Sequence, residues 1–145
     1  MAYKLSAPII EDFILVDSDK IFNNEGDPTR IAVRQASQGE QERRARVFAE
    51  ISRVIDNENI FGATSLTLRQ TWSMEELKRV EVYLTLAACN IQDEDGSPLF
   101  TFKNDRLAMD ESAFRDAWYL LPPMIAEEIH SKVLEVNYVW TGRGE

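Results

Sequence analysis

Apolar positions along this chain change period twice. Ile9, Ile10, Phe13, Leu15 and Val16 form a β-prone run, and Ile31, Val33 and Gln35 alternate with Arg30, Ala32 and Arg34. Alternation with a period of two marks a strand, because successive side chains point to opposite faces. Asn23-Asn24-Glu25-Gly26-Asp27-Pro28 between the runs is dense in turn formers. The pair predicts a hairpin. From Ser37 the period becomes helical. Val47, Phe48, Ile51, Val54 and Ile55 share one stripe, with Arg43, Arg44, Arg46, Glu50 and Arg53 on the other side. Ser37 followed by Glu40 is a capping box, and this helix is expected to fade near Asp56-Asn57.

Residues 60–72 hold Ile60, Phe61, Leu66, Leu68 and Trp72 among threonines, which predicts a short strand or irregular segment. Ser73-Met74-Glu75-Glu76 repeats the capping-box pattern ahead of Leu77, Val80, Tyr83, Leu84, Ala87 and Ile91. That spacing predicts a helix. Val80, Val82, Leu84 and Leu86 also alternate, so strand competes for part of the segment. Asp93-Glu94-Asp95-Gly96-Ser97-Pro98 predicts a turn, and Leu99-Phe100-Thr101-Phe102 a short strand. Asp110 is placed to N-cap a helix carrying Phe114, Ala117, Trp118 and Leu121. Pro122-Pro123 ends it, and Pro123 suits the first turn of a further helix whose inner face is Ile125, Ile129, Val133 and Val136. Residues 141–145 are expected to be a loose tail. The sum is a single α+β domain over residues 1–140. An N-terminal β-hairpin and short central strands pack with about four helices.

Composition narrows the function classes. A chain of 145 residues fits one domain, and 44% hydrophobic residues suffice for a core without a covalent staple. The formal net charge is −9, concentrated in residues 93–145, where eleven acids face five bases. Phosphate neutralisation needs a positive face, so nucleic acid is not an expected partner. No apolar run approaches the length of a membrane span, and the opening Met1-Ala2-Tyr3-Lys4-Leu5-Ser6 does not read as a signal peptide. Cys89 is the lone cysteine and cannot form an intrachain disulfide, which is consistent with a reducing compartment.

Catalytic chemistry finds little support. His130 is the single histidine, flanked by Glu127 and Glu128, and is expected to be an ordinary solvated or helix-side residue. Asp93-Glu94-Asp95-Gly96 superficially resembles a calcium loop, but that register puts Ile91 and Phe102 at ligating positions. No phosphate-cradling glycine pattern occurs. No catalytic, cofactor-binding or metal-binding residue is predicted, and no cofactor. Arg43, Arg44, Arg46 and Arg53 are expected to form a solvated face paired with Glu40, Glu42 and Glu50 at helical spacing. The sharper alternative is contact with an acidic partner, including a second copy of this chain. Trp118, Tyr119, Tyr138 and Trp140 read either as core or as an aromatic groove for a partner segment. These four, with Arg43 and Arg46, are the candidate partner-binding residues.

Several stretches together resemble the tail assembly chaperones of long-tailed, siphovirus-like bacteriophages. They are Ile31-Ala32-Val33-Arg34-Gln35-Ala36 leading into Glu42-Arg43-Arg44, Glu76-Leu77-Lys78-Arg79-Val80-Glu81-Val82-Tyr83-Leu84, Pro98-Leu99-Phe100, and Phe114-Arg115-Asp116-Ala117-Trp118-Tyr119-Leu120-Leu121-Pro122 with Val136-Asn137. The likeness runs over roughly residues 30–140 as scattered patterns. It implies a non-enzymatic protein of the host cytoplasm that binds the tape-measure protein, keeps its long apolar helices soluble and helps tail-tube subunits polymerise. The family supplies no catalytic residues. A structural component of the phage particle, such as a tail, neck or baseplate subunit, is the alternative role, and would be found in the virion.

Overall fold

A computed structural model describes residues 2–5, 7–20, 27–58 and 63–141, except for the side chains of residues 52 and 54–73. The predicted hairpin forms from β1 (Ile10–Ile14) and β2 (Arg30–Arg34), paired antiparallel with Ile10 opposite Arg34 and Ile14 opposite Arg30. Between them lies a helical turn absent from the sequence reading, α1 (Val16–Asp19). Its N-terminal backbone N–H groups are satisfied from a distance. Glu128 accepts from the N–H of Asp17 at 3.1 Å and of Ser18 at 2.8 Å, and from the Ser18 hydroxyl at 2.7 Å. Residues 23–26 of the predicted loop lie outside the described residues, as do residues 142–145 of the expected tail.

Helix α2 (Gln38–Glu58) starts at the predicted capping box. The Ser37 N–H donates to Glu40 Oε1 at 2.9 Å while Ser37 Oγ accepts from the Glu40 N–H at 3.3 Å. The next expectation fails. Helix α3 runs Ala63–Thr85, so residues 63–72 are helical and Ser73 sits inside the helix rather than at its cap. The acids behind Ser73 serve ion pairs one turn on instead, Glu75 with Lys78 at 3.2 Å and Glu76 with Arg79 at 3.8 Å. The helix also stops early. Leu86–Cys89 form β3, which pairs antiparallel with β2 (Ile31 opposite Cys89, Val33 opposite Leu86), so strand wins beyond Thr85. Pairing with a central, buried β2 overrides the helical spacing of Ala87 and Ile91.

The turn at 93–98 forms as expected. Asp93 Oδ1 accepts from the N–H of Asp95 at 2.9 Å and of Ser97 at 3.0 Å, and Gly96 takes a φ of 82° that suits glycine. The strand predicted at 99–102 is displaced. β4 (Phe102–Lys103) and β5 (Arg106–Leu107) make a small hairpin whose turn residues, Asn104 and Asp105, both have positive φ. Phe100 instead enters the core, and Leu99 packs half-buried against it. Helices α4 (Glu111–Tyr119) and α5 (Pro123–Val136) follow the prediction, with Asp110 accepting from the Ala113 N–H at 2.8 Å and Pro123 opening α5. A 3₁₀ turn, Tyr138–Trp140, closes the chain's described part.

Among the described residues the fold is thus α+β, with five helices, a three-stranded sheet in the order β1-β2-β3 and a two-stranded one. The core unites Ile31, Val33 and Leu86 of the sheet with Phe100, Phe114, Ile125, Ile129 and Val133. Asn137, 3% exposed, stitches α5 to β2: it accepts from the Ala36 N–H at 2.8 Å and donates to Arg34 O at 3.3 Å. No helix among the described residues is long and apolar enough to cross a membrane.

Candidate partner-binding surface

The exposed apolar surface of the C-terminal part follows from how α4 ends. Phe114, Ala117 and Trp118 face inward, and consecutive helical residues diverge by about 100°, so burying Trp118 turns Tyr119 outward. The Leu120 and Leu121 N–H groups bond to Ala117 O and Trp118 O, which tightens the last turn. Pro122 then takes an extended conformation, and the chain re-enters a helix at Pro123. Leu121 and Ile125 are buried on either side of this corner. Tyr119, Leu120 and Met124 stand out at 66%, 72% and 53% exposure, and both prolines are exposed.

Tyr119 is exposed yet held. Arg79 donates to its hydroxyl at 3.1 Å, and the guanidinium lies 5.9 Å from the ring centroid. A pre-positioned aromatic loses little side-chain entropy on binding. Two concavities flank the corner. A groove of about 610 Å³ is lined by Trp118, Tyr119, Pro123 and Ala126, with Arg79 and Glu76 at its polar side. A second, about 450 Å³, lies between Leu120-Leu121-Pro122 and the acidic turn. Fully burying a large apolar side chain is worth roughly 1.5–3 kcal/mol. Covering Tyr119, Leu120 and Met124 at their observed exposures would therefore contribute roughly 1–2 kcal/mol each.

The sequence-predicted residues separate into two groups. Trp118 and Trp140, 8% and 5% exposed, are core. Trp118 stacks on Phe114 with centroids 5.9 Å apart, and Phe114 meets Phe100 and Tyr83 at 5.4 and 5.2 Å. The Trp140 indole N–H donates to Gln41 at 2.6 Å, and Arg44 lies 5.2 Å from its ring centroid. Tyr119 and Tyr138 are exposed, but α5 separates them by about 20 Å at 1.5 Å per residue. The four aromatics therefore do not form one groove. Arg46 is exposed, and Arg43 bonds Glu111 at 2.9 Å with its guanidinium 5.5 Å from the Tyr83 ring centroid.

The arginine face of α2 needs a correction. Its expected partners at helical spacing are replaced by distant ones: Arg44 pairs with Glu81 at 2.6 Å and Arg43 with Glu111. Among the described residues, only Arg53–Glu50 keeps the within-helix pattern for this group. Glu40 binds Arg34 through both oxygens at 2.6 and 2.7 Å, and Arg106 at 2.9 Å. The described part of the apolar stripe is correspondingly less buried, with Phe48 at 48% exposure, and none of the described α2 side chains belongs to the buried core. Charge, not a hydrophobic seam, fastens the described part of α2.

His130 is also corrected. It is 8% exposed, not solvated, because Glu81 draws it inward, with Nε2 2.6 Å from Oε1. Glu81 thereby joins Arg44 of α2 to His130 of α5. Cys89 has no thiolate character at neutral pH: burial pushes its thiol up to about 11, against a smaller opposing pull from a hydrogen bond to the Ile91 backbone. Among the described residues no group of acids, histidines and cysteine is arranged to hold a metal ion. The buried Arg34–Glu40 and Glu81–His130 pairs were not singled out in the sequence. The capping box was the one available signal, since Glu40 was expected to turn back toward Ser37.

No protein-family model, curated protein or solved structure matches this chain at a significant level.

Proposed function

We propose that this chain is a non-enzymatic assembly chaperone of a long-tailed bacteriophage, acting in the host cytoplasm by shielding apolar helices of the tape-measure protein during tail-tube assembly. The observation that carries the reading is the exposed corner of Tyr119, Leu120 and Met124, beside a groove floored by Trp118 and Ala126. An amphipathic or apolar helix docks in such a groove through anchors spaced by about one turn. The resemblance of residues 30–140 to tail assembly chaperones supplies the partner's identity. Tyr119, Leu120 and Met124 take the contact role first considered for Trp118 and Trp140, whose burial leaves them holding the groove's shape.

Co-expression with the tape-measure protein of the same phage tests this. Wild type should keep it soluble and co-purify with it. Tyr119→Ser/Leu120→Ser/Met124→Ser, all at exposed positions, should fold normally and weaken capture at least tenfold. Undiminished capture by the folded triple variant would refute the corner as the docking site. Mass spectrometry of purified virions addresses the role: a chaperone is absent, whereas stoichiometric presence would favour a tail, neck or baseplate subunit.

A further inference from the structure

The arm of residues 2–9 precedes β1 and is the most exposed apolar segment of the described chain. Tyr3 is 96% exposed, Leu5 100% and Ile9 55%. Tyr3, Leu5, Ala7 and Ile9 alternate, so an extended arm presents them on one side. Residues 2–10 contain no acid and one base, Lys4, in a chain of net charge −9. The arm's root is fixed: the Gln35 N–H donates to Ile9 O at 2.8 Å.

A surface of matching chemistry lies at the other end of the sheet. The groove of about 450 Å³ beside the α4–α5 corner has apolar walls from Leu99, Leu120 and Pro122 and an acidic rim of Asp93, Glu94 and Asp95. Asp93 is occupied with its own turn, while Glu94 and Asp95 are exposed and make no ion pair among the described residues. The strand registers put arm and groove apart. The arm leaves the sheet where Ile10 faces Arg34, beside the Val33–Leu86 pair. The groove follows Cys89, which pairs with Ile31 toward the opposite end, about 10 Å along the strands. The arm thus leads away from the groove of its own chain.

We propose that the arm of one copy docks in this groove of a second copy, with Tyr3 and Leu5 against Leu99, Leu120 and Pro122, and Lys4 between the carboxylates of Glu94 and Asp95. Arm and groove are different surfaces, so the contact is head-to-tail and a joined pair keeps one free arm on one copy and one free groove on the other. Such a contact builds a ring if its rotation closes and a filament if it does not. The acid-free arm is what lets copies of an acidic chain approach one another, and added salt weakens the contact by screening Lys4.

Sedimentation velocity over a concentration series tests this on the full chain. Wild type should form oligomers that grow with concentration. Tyr3→Ser/Leu5→Ser in the arm and Glu94→Lys/Asp95→Lys at the rim change only exposed side chains, and unchanged circular dichroism verifies their folding. Each should weaken self-association at least tenfold. Mixing the two variants should give one-to-one dimers and nothing larger, because one supplies the sole working groove and the other the sole working arm. A wild type that stays monomeric to about 1 mM, where even a contact of about 4 kcal/mol is populated, overturns the proposal. So does association that the arm variant abolishes but the rim variant spares, since the arm would then dock elsewhere.

Discussion

Replacing Glu40 by glutamine tests how α2 is fastened to the rest of the domain. The Glu40 carboxylate receives both terminal Arg34 nitrogens, the Ser37 N–H at 2.9 Å and Arg106 at 2.9 Å. Burial alone would raise its pKa. Hydrogen bonds from Arg34 and Ser37, together with the Arg34 charge, outweigh burial and lower it from 4.5 to about 2. At about 1.36 kcal/mol per pKa unit this corresponds to roughly 3 kcal/mol. The side chain is 13% exposed and Arg106 is 53% exposed, so solvent screening trims the figure to about 2–3 kcal/mol. Because the folded pKa lies below the unfolded one, the contribution is complete above pH 4.5 and is lost as pH falls through the folded value near 2. Glu40→Gln keeps the shape but strands the Arg34 charge, which is 3% exposed and already has an unpartnered Nε. The variant should lose about 3 kcal/mol near neutral pH. Urea denaturation followed by tryptophan fluorescence, at neutral pH and at steps below pH 4.5, measures both quantities. The gap between wild type and variant should narrow on acidification. A variant within about 0.5 kcal/mol of wild type at neutral pH, or a gap independent of pH, would refute the reasoning.

Trp118→Ala and Trp140→Ala should each cost about 3–5 kcal/mol, because both vacate a packed interior, whereas Tyr119→Ala and Tyr138→Ala should stay within about 1 kcal/mol; thermal denaturation separates the pairs, and equal losses would contradict the assigned orientations. Cys89 should react with a disulfide reagent about a hundredfold more slowly in the native protein than in urea, since burial raises its thiol from 9.0 to about 11. Native labelling at the unfolded rate would show that the thiol is accessible and ordinary.

What could be read from the sequence was what local chemistry decides. Ser37 with Glu40, Asp110 with Ala113, and Pro123 at the start of α5 satisfy their own neighbours' backbone, so their roles are visible without a fold. The boundary between α3 and β3 is not local. Thr85 and Leu86 part company because β2, more than fifty residues earlier, offers a ladder to Leu86 and Cys89. The arginine face of α2 was visible as a face, but Glu81 and Glu111, which meet it, lie 37 and 68 residues from their partners. The candidate site was half visible. Clustering of aromatics identified the corner's neighbourhood, but only the stacking of Trp118 on Phe114, itself packed on Phe100, decides which of two adjacent residues turns outward. Leu120 and Met124 carried no signal, since an isolated aliphatic residue reads equally well as core.

The contacts between Ser18 and Glu128, Ala36 and Asn137, and Gln41 and Trp140 span 110, 101 and 99 residues. They give the fold an order in time. On the ribosome, at about 5–20 residues per second, the hairpin and the start of α2 wait roughly 5–20 s for the segment that completes them. For about the first half of that interval β2, buried in the finished domain, has no β3 to pair with, and throughout it no complete α5 to cover it. The first third of this chain therefore passes, during its own synthesis, through a window in which apolar strand must be kept from other strands. A variant that weakens Asn137 would lengthen that exposure without altering any surface the mature protein presents.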